Sequence, residues 1–110
     1  MGRLVKAVTV ISGSVIASGA NTIATSPGVG AQICLSTVVL QNYVAASQLA
    51  LLKSGSSSTK LNVLCKDQGD GVALAFTEGR EIRLDPNDAL VLDISTGSPF
   101  GYTIGYFVES

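Results

Sequence analysis

The feature that most constrains this chain is its rhythm. Short stretches of alternating apolar residues recur along it, and each closes on glycine, proline, asparagine, aspartate or serine. Period-two alternation places successive side chains on opposite faces of a strand. The candidate strands are Leu4 to Ile11, Val15 to Ala17, Thr22 to Thr25, Ala31 to Leu40, Gln48 to Lys53, Lys60 to Lys66, Gly71 to Thr77, Arg80 to Leu84, Ala89 to Ile94 and Tyr102 to Glu109. Residues 44 to 52 would tolerate a helix, since alanine and leucine are good helix formers. Every neighbour is strand-like, however, so the second part of that run reads as strand. The serine-rich stretch Ser54 to Thr59 reads as a loop tip. DQGDG at 67 to 71 reads as a hairpin in which Asp70-Gly71 supplies positive φ, and Pro86, Asn87 and Asp88 read as a tight turn. Repeated short strands with such punctuation mean a β-sandwich or a barrel. No fixed-period repeat suggests a solenoid or propeller.

A chain of 110 residues fits one compact domain, residues 1 to 110, with residues 1–11 serving as an N-terminal arm or a first strand. The start carries Arg3 and Lys6 ahead of apolar and then small residues, as a secretion signal would. Ser12, Gly13 and Ser14 interrupt the apolar run that a signal needs, so strand is the better reading. No stretch reaches the ~18 apolar residues of a membrane helix.

The chemistry on offer is sparse. Histidine is absent, which removes the commonest general base and zinc ligand. Cys34 and Cys65 lie in apolar strand patterns and read as buried free thiols, with a bridge between them open if the protein is exported. Asp67 with Asp70, and Asp85 with Asp88, sit where aspartate favours turns rather than paired acid–base work. No cofactor or metal is implied, and the expectation is a non-enzyme. Net charge is −1, and the closest basic pair, Arg80 and Arg83, is surrounded by Glu78, Glu81 and Asp85. A nucleic-acid groove needs concentrated positive potential, so no nucleic-acid or membrane partner is expected.

Charged residues make up only 14% of the chain, against about 25% in typical soluble domains. Several strands also carry apolar residues on both faces: VVL at 38 to 40, LALL at 49 to 52, ALVL at 89 to 92 and IGYFV at 104 to 108. A two-sheet sandwich buries one face of each sheet. Val91, opposite in sense to Leu90 and Leu92, therefore needs a cover. The simplest cover is another copy of the chain, which assigns self-association to Val91 and Phe107.

The second half reads Leu-x-Val…Asp-Gly-Val-x-Leu-x-Phe…Ile-x-Leu-x-Pro-Asn-Asp-Ala-Leu-x-Leu-x-Ile…Gly-Tyr-x-Ile-x-Tyr. Over residues 30 to 108 this resembles the small, tumour-necrosis-factor-like jelly rolls that decorate or cement the capsids of tailed bacteriophages. The resemblance implies an all-β, two-sheet antiparallel jelly-roll or Greek-key sandwich of about eight strands. It implies a homodimer or homotrimer docked on the major capsid protein, hence a virion-surface protein assembled in the host cytoplasm. Capsid contact would fall to an arm around Arg3, Leu4 and Val5. Two other readings compete. One is a receptor- or carbohydrate-recognition module of a phage tail or cell surface, binding near Tyr43 or Tyr102. The other is an exported structural domain with Cys34 and Cys65 bridged.

Overall fold

The computed structural model describes residues 8–56, 58–95 and 99–110. The described residues form nine strands: β1 (Thr9–Val15), β2 (Gly19–Ala24), β3 (Gln32–Asn42), β4 (Gln48–Ser54), β5 (Ser58–Cys65), β6 (Gly71–Ala75), β7 (Ile82–Arg83), β8 (Leu90–Ile94) and β9 (Phe100–Glu109). They pair antiparallel in two sheets, ordered β1-β9-β3-β6 and β2-β8-β4-β5, with β7 also on β3. The pairing is nested. The chain doubles back between β4 and β5, and then β3 meets β6 and β7, β2 meets β8, and β1 meets β9. Rolling that long hairpin closes it through β3 with β9 and β4 with β8, which is a jelly roll.

β6 and β7 occupy one edge position. The first runs along Thr37 to Gln41 of β3 and the second along Cys34 and Leu35, so nine strands fill eight places. Between them the chain turns at Gly79, whose φ is 87°. The break faces a bulge in β3, where the register with β9 shifts between Leu35 and Thr37. The extra residue, Ser36, donates its hydroxyl to the Gly105 carbonyl at 3.1 Å and accepts the Phe76 amide on its own carbonyl.

The core lies between the sheets. Ile33, Leu35, Val38 and Leu40 of β3 and Phe100 and Ile104 of β9 face Ala50 and Leu52 of β4 and Leu90, Leu92 and Ile94 of β8. All are essentially inaccessible. Each large apolar side chain so buried contributes roughly 1.5–3 kcal/mol.

Two local expectations change. β1 runs straight through Ser12-Gly13-Ser14 instead of breaking there, and Ile16 and Ala17 fall in the loop that follows. Gly13 faces inward, where a Cβ would stand 3.1 Å from the Tyr102 hydroxyl; the small residue leaves space for that ring. DQGDG is not a hairpin between paired strands, because β5 and β6 belong to different sheets. Its positive φ falls on Gly69, in a turn closed from the Asp70 amide to the Asp67 carbonyl. Gly71 is small for another reason: a Cβ there would lie 2.0 Å from the Leu40 carbonyl oxygen.

Candidate functional site

The outward faces of the two sheets are where a structural partner would sit.

On the second sheet, Val91 faces outward between Thr22 of β2 and Lys53 of β4. It is nevertheless only 5% exposed. The cover is internal. The Lys53 backbone stands beside Val91, while its ammonium lies 3.1 Å from the carboxylate of Asp93, two residues along β8. The methylene stem therefore runs along β8 and roofs the valine, as long cationic side chains do over apolar surface. Within one chain Val91 therefore keeps little exposed area.

Phe107 faces outward on the first sheet, opposite Cys34, and is likewise buried. Arg83, the neighbour of Cys34 on β7, crosses β3 and donates to the Glu109 carboxylate. The same guanidinium donates to Cys34 Sγ at 3.2 Å, and these contacts hold Arg83 above its usual basicity, Glu109 foremost. The Arg83–Glu109 pair closes the corner beside Phe107. An ion pair thus stands beside each residue that the sequence offers as sticky. Arg3, Leu4 and Val5 lie outside the described residues.

The exposed apolar positions lie elsewhere. Val10, 66% exposed, stands opposite Gly105, and Val39, 42% exposed, stands between Thr103 and Ala73. Val8 packs a methyl toward Gly105 and is half-exposed. Together with Ser12, Thr37 and Ala75 they make the outer face of β1, β9, β3 and β6 a surface of mostly small, uncharged residues, with Arg83 and Glu109 at one corner. A shallow depression of about 280 Å³ marks the opposite corner, lined by Val39, Gln41, Gly71 and Ala73. On the second sheet the large apolar residues exposed among those described are the cross-strand pair Leu49 and Leu64. No motif announces these positions. Their signal is register: Val10 faces Gly105, and Val39 faces Thr103 and Ala73.

The tyrosines divide. Tyr102 and Tyr106 are partly buried against the core. Tyr43 is half-exposed, and its ring lies where a Cβ on Gly101 would be, 2.1 Å from the hydroxyl oxygen. Its loop is pinned by Asn42, which is fully buried. The Asn42 amide donates to the carbonyls of Val44, Ala46 and Asp67 and accepts from the Gln48 side chain at 3.2 Å. The polar knot rigidifies that end of the sandwich and presents one ring, not a platform of several.

Both cysteines are free and buried. Cys65 is the register partner of Gln48, beside Asn42 at one end of β3, whereas Cys34 lies eight residues back along that strand. Eight residues of strand span about 26 Å. A disulfide needs Cα atoms within about 7 Å, so an internal bridge is sterically excluded. Burial pushes the Cys65 thiol above its ordinary pKa, and the charge of Asp70 adds to it.

The aspartates act on the backbone. Asp70 accepts the amides of Lys66 and Asp67, and Asp88 accepts the hydroxyl of buried Ser54 at 2.8 Å. Ser54 in turn accepts the Asp85 amide at 2.8 Å. Pro86 and Asn87, φ 68°, form the turn between them. Among the described residues, no three of His, Cys, Asp or Glu gather as metal ligands, and no helix is long and apolar enough to cross a membrane.

No protein-family model matches the chain, and neither the curated proteins nor the solved structures yield a match.

Proposed function

We propose that this chain is a structural protein that self-associates and coats the outside of a tailed-phage capsid. The observation that carries the reading is the outer face of the first sheet: nearly uncharged and carrying exposed Val8, Val10 and Val39. Clustered apolar exposure of that kind marks a protein contact. The jelly-roll strand order is the architecture that the sequence resemblance to capsid decoration proteins implies. A coat protein needs a rigid body and contact surfaces, and the buried Asn42 and Ser54 networks supply rigidity at both ends of β4. In this reading the partners are further copies of the chain and the major capsid protein, and an arm at Arg3 to Val5 reaches the capsid.

The test is cosedimentation with capsids of the phage whose genome encodes the chain. Saturable binding at a copy number fixed by the lattice is the expected outcome. A chain left wholly in the supernatant, with genomic neighbours unrelated to virion assembly, would overturn the reading.

A further inference from the structure

Among the described residues, four edge positions of the sandwich have a strand neighbour on one side only: β1 and the β6–β7 run in the first sheet, β2 and β5 in the second. An edge strand presents unpaired N–H and C=O groups, and proteins blunt it with charge, bulges, proline or interruption. Three of the four edges carry such a device. The β6–β7 run is broken between 75 and 82, and Glu78, Arg80, Glu81 and Arg83 crowd the break. β5 carries Lys60 at a register shift and is followed by Lys66. β2 bulges between Thr22 and Ala24, and Pro27 follows it. β1 carries none. Its seven residues, TVISGSV, pair with β9 in unbroken register and include no charge and no proline. It opens a run from Ala7 to Leu52 that holds no Asp, Glu, Lys or Arg.

We infer that β1 is an open edge for strand addition, and that its occupant is β1 of a second copy, antiparallel across a two-fold axis. The inference rests on the self-association reading above and names its surface. Two features select a second copy. First, an isologous interface brings every patch against itself, so any charge near the axis meets its like. The β1 edge escapes this repulsion; β2 is uncharged too, but its bulge between Thr22 and Ala24 breaks the register that β1 keeps. Second, the strand is complementary to itself in volume. In a register centred on Ser12, Ile11 faces Gly13 of the other copy, Val10 faces Ser14, and Thr9 faces Val15. Residues of equal parity stay on one face, so the inward residues Thr9, Ile11, Gly13 and Val15 continue the core side and the outward residues continue the uncharged surface. The two first sheets become one sheet, and its outer face doubles.

The experiment compares the wild-type chain, the double variant Val10→Lys/Ser12→Lys, the double variant Val10→Asp/Ser12→Asp, and a control, Leu64→Lys, by light scattering and native mass spectrometry. Both edge variants change outward side chains, and circular dichroism verifies that each is folded. The wild type and the Leu64 control are expected to be dimers. Each edge variant alone is expected to be monomeric, with its dissociation constant raised at least tenfold, because like charges oppose across the axis. Mixing the two edge variants is expected to restore a dimer containing one copy of each. A wild-type dimer that both edge variants preserve overturns this inference and leaves self-association standing. A wild type that is monomeric at high micromolar concentration overturns both. A monomer whose β1 amides gain protection only on adding capsid protein gives the edge to a foreign strand, and also overturns the second-copy claim.

Discussion

Replacing Val91 by alanine separates internal cover from cover by a partner. Val91 is 5% exposed within one chain, roofed by the Lys53 stem that reaches Asp93. The substitution removes two methyl groups, at about 0.8 kcal/mol each, so about 1.6 kcal/mol of transfer energy. The residual cavity adds little, since the flexible lysine stem can settle into it; the total is about 2 kcal/mol. With about 2.1 cal/mol/K of unfolding entropy per residue, a 110-residue chain loses about 4 °C of Tm per kcal/mol. Val91→Ala is therefore expected to melt about 8 °C lower. Urea unfolding at concentrations where the chain is dissociated should show a lower midpoint and an unchanged slope. Lys53→Met keeps the stem and should cost less than about 1 kcal/mol, the scale of a partly exposed ion pair. The opposite pattern, in which Val91→Ala leaves the isolated chain as stable as before but weakens its association, would refute the internal roof.

Three further outcomes follow from the buried groups. Ser54→Ala removes both the donor to Asp88 and the acceptor for the Asp85 amide, and should cost about 1–3 kcal/mol in chemical denaturation. Gly71→Ala forces a methyl against the Leu40 carbonyl and should cost about 3 kcal/mol, more than Gly69→Ala, where only the positive φ of 91° is at stake. Cys65 has a folded pKa raised by burial and Asp70, so the unfolded chain releases this proton first as pH rises. Its contribution to stability is intact below the ordinary value of 9.0 and declines above it until the folded pKa is passed. Cys65→Ala should flatten that alkaline decline in pH-dependent melts.

The alternation in β3, β8 and β9 made the sandwich legible, because each strand has a largely apolar inner face and a side-chain period of two that nothing interrupts for long. The outward orientation of Val91 and Phe107 was equally readable. Their burial was not, because it rests on neighbours brought from strands far apart in sequence, such as Lys53 beside Val91 and Cys34 opposite Phe107. Gly13 misled for a related reason. Within the sequence it punctuates β1; in space it admits the Tyr102 ring from the neighbouring strand. Asp70-Gly71 offered hairpin chemistry, yet the chain uses that glycine for close backbone approach while crossing between sheets. The edge position of β1 became visible only once the sheet order identified which strands have one neighbour among the described residues.

Hydrogen exchange along Thr9 to Val15 over a dilution series tests the assembly claim most directly. If a second copy closes β1, the amides that point away from β9 should exchange slowly at high micromolar concentration and speed up on dilution, while those bonded to β9 stay constant. Identical exchange at every concentration, with the outward amides fast throughout, would contradict it.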